Sequence, residues 1–249
     1  MKKILIILSA AFIACCCTIN ISFGNGVSVT GGCTEEGIDF SEERTVGRFD
    51  SFKAAGPFNV YYVQSPSQKV LVEGKEEFVK KVITEVRDDE LSIRLEKGKY
   101  TDLVLRITVF SPIIEDMTEA GSGNLVCKEV NLPGKEIEIS VLGSGDAIIG
   151  NITCKDLELS AAGSGDAVVK AITVSEDAEI ATAGSGDVKI ESATIAGDLE
   201  LSTAGSGDIR ISGSCRNLEA STRGSGDISG RVQYSSIETT SRGSGKVKL

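Results

Sequence analysis

Seven carboxylates recur along this chain at nearly even spacing: Asp116, Glu138, Glu158, Glu179, Glu200, Glu219 and Glu238. Two residues after each comes a hydroxyl (Thr118, Ser140, Ser160, Ser202, Ser221, Thr240), except that Ala181 follows Glu179. A second acidic series, Asp146, Asp166, Asp187, Asp208 and Asp227, trails the first by eight residues. Carboxylate oxygens of this kind suit hard divalent cations and basic partners. Glu138, Glu158, Glu179, Glu200, Glu219 and Glu238 are therefore the candidate metal-binding residues, with calcium as the metal. Binding is expected to be weak, because no single repeat supplies the roughly six to eight oxygens of a calcium cage. No other cofactor is expected. The chain has no histidine, which removes His-based triads, His general bases and His-ligated zinc.

The acids are placed by a repeat. Gly-Ser-Gly-Asp or a near copy begins at Gly121, Gly143, Gly163, Gly184, Gly205, Gly224 and Gly243, at intervals of 22, 20, 21, 21, 19 and 19 residues. A sustained period of that size marks a solenoid whose units stack on one another. Counting each first Gly as zero, positions −6 and −4 are mostly apolar, as in Ile137/Ile139, Leu157/Leu159 and Leu199/Leu201. Position −2 runs Val141, Ala161, Thr182, Thr203, Thr222, Ser241. Position +4 holds Leu125, Ala147, Ala167, Val188, Ile209, Ile228 and Val247, and a further apolar pair such as Ile172/Val174 often follows. Alternation with period 2 in three short runs predicts up to three strands per coil, each with one face inward. The fold expected is all-β, a single-stranded parallel β-helix-like solenoid of about 20 residues per coil.

The tetrapeptide then has a structural role. Gly143, Gly163, Gly184, Gly205 and Gly224 let the backbone turn a corner. Asp146, Asp166, Asp187, Asp208 and Asp227 can accept hydrogen bonds from turn amides. A calcium β-roll is the rival reading, but its period is nine. The glutamate column has no such amides, and stacked like charges cost about 0.9 kcal/mol per contact even in water dielectric. Either these side chains splay into solvent, helped by Lys189 and Arg210 on a neighbouring strand, or the strip binds cations, a basic partner or a glycan. Position −1 becomes Arg223 and Arg242 in the last two repeats, and Lys246 follows; such charges blunt a sheet edge.

The chain carries 26 Lys+Arg against 36 Asp+Glu, a balance that disfavours nucleic acid and adhesion to anionic headgroups. Residues 1–24 read as an export signal: Lys2 and Lys3, then an apolar run from Ile4 to Ala14 too short to span a bilayer. Phe12-Ile13-Ala14-Cys15 resembles a bacterial lipobox, making Cys15 the candidate lipidation site and a lipid anchor the route to the membrane. Cleavage after Gly24 is the alternative, and Cys16 and Cys17 leave the acceptor open. Residues 25–43 read as a flexible tether, 44–112 as an N-terminal β region capping one end, and 113–249 as the repeat array. Glu76 to Ile83 has the helical spacing. Cys33, Cys127, Cys154 and Cys215 lack metal-site spacing. In the repeat register Cys154 and Cys215 are three coils apart, beyond disulfide reach, so buried free thiols are expected.

One resemblance spans residues 44–249. Val46-Gly47-Arg48-Phe49-Asp50-Ser51-Phe52, Gly56-Pro57-Phe58-Asn59-Val60-Tyr61-Tyr62-Val63-Gln64, Asp89-Glu90-Leu91-Ser92-Ile93 and Ile107-Thr108-Val109-Phe110-Ser111-Pro112 lead in that order into Gly121-Ser122-Gly123. The series resembles the putative auto-transporter adhesin, head GIN domain family, found largely in Bacteroidetes. The resemblance implies an all-β stack in an exported or lipid-anchored protein, located in the outer membrane, periplasm or medium, and it carries over no catalytic residues. The function expected is that of a non-enzymatic envelope protein, an adhesin or surface scaffold whose partner is another envelope protein or a glycan. The alternatives are a carbohydrate-active β-helix enzyme, which needs insertions that break the coil pattern to form a cleft, and a calcium-binding repeat module.

Overall fold

The computed structural model describes residues 37–249, together with the backbone of Ile19–Ser22 and Ser28–Gly31, which pair antiparallel. Cys15 and the apolar run of the export signal, and residues 25–27 and 32–36 of the proposed tether with Cys33, lie outside the described residues. From Phe40 onward the chain is nearly all β and forms a parallel solenoid of about 6 turns with about 21 residues per turn.

Each coil of the array contributes to two hydrogen-bonded stacks. One stack contains Asp116–Glu119, the second halves of Leu125–Gly143 and Ala147–Gly163, then Ala178–Gly184, Asp198–Gly205, Asn217–Gly224 and Ser236–Gly243, all parallel. The other runs through the first halves of those two long strands to Ala167–Val174, Val188–Ile195, Ile209–Ser214, Ile228–Gln233 and Val247–Lys248. Within Ala167–Val174 the buried residues are Ala167, Val169, Ile172 and Val174, while Lys170 and Ala171 both point away from the core. Two successive outward residues break the alternation and bend the strand. The three apolar runs of a repeat therefore face inward from three directions, while the first two repeats form one continuous strand and the later ones two strands.

The columns read from the sequence coincide in space. Ile139, Leu159, Ile180, Leu201 and Ala220 pair in consecutive coils and are each at most 1% exposed. Burying one such Leu or Ile stabilises the fold by about 1.5–3 kcal/mol. Cys127, Cys154 and Cys215 belong to the same core as free, buried thiols. Burial pushes the Cys127 and Cys154 thiols up to about 12, so both behave as small hydrophobes.

The N-terminal region is the beginning of the same sheet, in an order that no repeat announces. Ser51–Ala55 and Asn59–Gln64 form a coil directly against Asp116–Glu119 and Leu125–Cys127. The coil outside it is made later in the chain, by Glu90–Leu95 and Leu105–Ser111. Three antiparallel strands then close that end: Val82–Arg87 on Glu90–Leu95, Lys69–Gly74 on Leu105–Ser111, and Phe40–Arg44 on Lys69–Gly74. Two local readings change. The solenoid's own sheet begins at Phe40, inside the span read as tether, and Ser28–Gly31 in the same span is paired as well. The helix is a single turn, Glu76–Val79, because Val82 and Ile83 join the antiparallel pair with Leu95 and Arg94. Arg44 closes that turn by donating to the carbonyls of Val79 (2.8 Å) and Val82 (2.6 Å).

Candidate functional site

The glycine corners stack in a line, with Gly143, Gly163, Gly184, Gly205, Gly224 and Gly243 in register. At Gly163 the backbone has φ +136°, and a Cβ there would collide with the carbonyl oxygen of Gly143 in the coil below. That oxygen accepts instead from Ser164 N–H (2.8 Å) and Gly165 N–H (3.2 Å). Glycine allows both the backbone conformation and the close approach.

The corner aspartates bind the coils together. The amide of each corner residue donates to the side-chain Oδ1 of its counterpart one coil earlier: Asn124 to Asn59 (3.0 Å), Asp146 to Asn124 (3.0 Å), Asp166 to Asp146 (3.0 Å), Asp187 to Asp166 (2.8 Å). Asp208, Asp227 and Lys246 continue the series at 2.8 Å each. The carboxylates thus accept from amides, but from those of the next coil rather than of their own turn. Arg210 supports the column with ion pairs to Asp187 (3.0 Å) and Asp208 (2.6 Å). Its guanidinium is committed there, and Lys189 pairs with Glu191 at 3.0 Å.

A second ladder of the same kind went unread in the sequence. At position −7, the amide of Asp177 donates to Asp156 (3.1 Å) and that of Asp198 to Asp177 (2.7 Å). Asn217 and Ser236 prolong the column through their side chains, Asn217 Nδ2 to Asp198 (2.8 Å) and Ser236 Oγ to Asn217 (2.7 Å). Lys155 bridges Asp156 and Glu176 at 2.9 Å each. Lys155 and the Asp177 amide hold the Asp156 carboxyl below its ordinary range.

Between this ladder and the glutamates runs an open groove of about 770 Å³. The register Asp116, Glu138, Glu158, Glu179, Glu200, Glu219, Glu238 is continuous from strand to strand. Glu158, Glu179, Glu200, Glu219 and Glu238 are exposed, while Asp116 and Glu138 are half-buried. Glu136, Asp156, Asp177 and Asp198 form the facing wall with Asn217 and Ser236. Nearby hydroxyls relieve the first two acids of the column: Thr118 donates to Asp116 (3.0 Å) and Ser140 to Glu138 (3.3 Å). Partial burial, then the charges of Glu138 and Glu179, raise the Glu158 carboxyl. Burial also raises Asp116, the Thr118 hydroxyl working against it. The result is a straight strip of negative potential with exposed oxygens at the interstrand spacing, about 4.8 Å, which attracts cationic groups. Among the described residues no three His, Cys, Asp or Glu side chains converge in a way that could hold a metal ion.

Comparison with known proteins places this geometry in context. A structure from Bacteroides fragilis NCTC 9343, described as a putative adhesin, superposes with a TM-score of 0.70 at 22% identity, covering 84% of this chain and 95% of that one. A structure from Parabacteroides distasonis ATCC 8503, described as a putative lipid binding protein, gives 0.65 at 23% identity, with 84% and 96% coverage. A putative adhesin from Parabacteroides merdae ATCC 43184 gives 0.58 at 18% identity, with 84% and 95% coverage. At these identities the likeness is one of fold. No match is found among curated proteins. The model of the family described as putative auto-transporter adhesin, head GIN domain, matches residues 48–173 and 158–249, and the chain belongs to that family.

Proposed function

We propose that this protein is a non-enzymatic binding scaffold of the cell envelope, which presents the acidic groove as a rigid recognition strip. The observation that carries the reading is the regularity of the groove: five successive coils offer an acid at position −5 in unbroken register, with no insertion interrupting them. A glycan-cleaving site on such a scaffold needs an irregular loop that gathers two carboxylates around one bond. Here the carboxylates are spread evenly along a line, a geometry that suits an extended partner contacting several coils at once. The partner class that fits is a cationic segment of another envelope protein, or a glycan held through its hydroxyls. Export fits the family's adhesin description, and the Cys15 lipid anchor would set the strip at a membrane surface.

A binding array of glycans and envelope proteins, probed with the mature chain and with Glu158→Gln/Glu179→Gln/Glu200→Gln, tests the proposal. Ligands lost with the triple variant and weakened by salt support it. Turnover of a polysaccharide panel would replace it with the enzymatic alternative.

A further inference from the structure

The inward column at position −2 contains one residue out of character. Where later coils place Val141, Ala161, Thr182, Thr203 and Thr222, the first places Glu119, which is 1% exposed. Its strand lies between Ala54 and Val141 in register. The amides of Gly121 and Gly123 point at its carboxyl, yet Oε2 is buried and has no hydrogen-bond partner. A buried, unpartnered carboxylate oxygen is costly, and protonation is one way to remove the cost. The atom lies against Gly145, 3.0 Å from where a Cβ would stand. Further along the same column, Thr182 Oγ1 is 3.5 Å from the carbonyl of Gly207, and Thr203 Oγ1 is 3.5 Å from that of Gly226. Each of those acceptors is the third residue of the next corner, the place Gly145 occupies relative to Glu119.

We propose that Glu119 is a protonated acid that takes the role of the column's threonines, donating from Oε2 to the carbonyl of Gly145 and so pinning the first repeat coil to the second. Asp146 is the charged group that faces it. Lys53, Asp116 and Glu138 sit on the strands packed against it, but at positions that point to the outer face. The proton is therefore held by burial, which outweighs the Gly121 and Gly123 amides and is reinforced by the negative neighbour, and its loss places a charge inside the junction between the N-terminal coils and the array. This makes the junction a pH-sensitive latch, firm in acid and weakened toward neutrality.

The sign follows from linkage. Burial raises Glu119 from 4.5 to about 7, so the folded state holds a proton that the unfolded chain releases. Its stabilising contribution is complete below about pH 4.5 and lost as the pH rises through about 7. Relative to Glu119→Gln, which keeps both a donor and an acceptor, the wild-type folding constant should fall on the order of a hundredfold between pH 4 and pH 8. Carbon-13 NMR of the wild-type Glu119 carboxyl gives a reading that depends on no variant, and its midpoint should lie near neutrality. Glu119→Thr should fold with the pH-independence of the Gln variant. A midpoint below 5, or wild-type and Gln variants that track each other from pH 4 to 9, overturns the proposal. So does stabilisation at pH 8 by sodium or calcium that the Gln variant lacks, since a cation would then satisfy Oε2.

Discussion

Two columns of acids run along the repeat coils of this solenoid at the same interstrand spacing, and they do opposite things. In the corner column each aspartate accepts an amide of the next coil at 2.8–3.0 Å, so its negative charge is part of the mortar. In the groove column the glutamates meet one another across strands and, beyond Glu138, stand exposed without such amides. The residue class and the repeat are shared; the difference is one of reach and backbone. A short side chain on a turn can satisfy a neighbour's N–H, whereas the amides of a strand interior are already spent in the ladder. Repetition of an acid therefore says little about function until the destination of the backbone amides is known.

The sharpest way to break the corner is through its glycines. Gly163→Ala puts a Cβ against the Gly143 carbonyl at φ +136° and should cost about 3 kcal/mol or more, or prevent folding. Gly134→Ala, where a Cβ meets nothing within 4 Å, should stay within about 0.5 kcal/mol of wild type. Urea denaturation of the two variants provides the comparison, and equal losses would remove the corner from the account.

The next effect separates the two acid columns directly. Asp187→Ala deletes the acceptor for the Asp208 amide and one arm of the Arg210 pair, and should cost about 1–3 kcal/mol. Glu179→Ala, one strand away, should be neutral or slightly stabilising. Carboxylates that accept an amide of the next coil and the groove acid Glu158 also respond to acid with opposite signs. Asp227 is held below its ordinary range by the Lys246 amide, then by Lys248, and Asp156 by Lys155 and the Asp177 amide. Their contributions are present above the unfolded carboxylate value and disappear as the pH falls through the depressed one. Glu158 is raised, so its effect is most favourable in acid and declines as the pH rises through its folded value. Site-resolved carboxyl titration should find Asp227 and Asp156 titrating below Glu158, and a reversed order would overturn the distinction.

Much of this was readable beforehand because side chains in strands alternate with period 2 and because glycine marks each corner. The columns at −6, −4 and +4 followed from apolar residues such as Leu159, Leu201 and Ile209, and the structure buries them. The seating of Asp166 or Asp187 was half-legible: an acceptor for amides could be named, but which coil owned the amide depends on stacking. The −7 ladder left a signal in Asp156, Asp177, Asp198 and Asn217, obscured because the more regular −5 column lies two residues away. Glu119 was legible only as a break in a column. The order of the N-terminal coils was not legible at all, since pairing Glu90–Leu95 with Ser51–Ala55 repeats no motif. Yet that region supplies the template for the array. Asn59 accepts from Asn124, the Gly56 carbonyl accepts from Gly123 N–H, and Gln64 accepts from Asn131 N–H. All three acceptors belong to the segment that carries the family resemblance.

The smallest expected effect bears most directly on the groove. At the interstrand spacing each pair of neighbouring glutamates repels by about 0.9 kcal/mol in water dielectric, and less in salt. Glu158→Gln/Glu179→Gln/Glu200→Gln should therefore raise stability by about 1 kcal/mol at low ionic strength, and the gain should vanish in high salt. Calcium acts on the same repulsion. A cation bound by the folded state alone stabilises it by mass action, but the evenly spaced acids enclose no cage, so affinity should be weak and spread over several coils. Millimolar calcium should lift the wild-type melting temperature by a few degrees and leave the triple variant unmoved, and magnesium should substitute in part because the attraction is to a strip rather than to a shaped site. If calcium stabilises both forms equally, its binding lies elsewhere on the molecule. If it stabilises neither while a cationic partner still binds the wild type, the strip is built to recognise a macromolecule and the metal has no part in it.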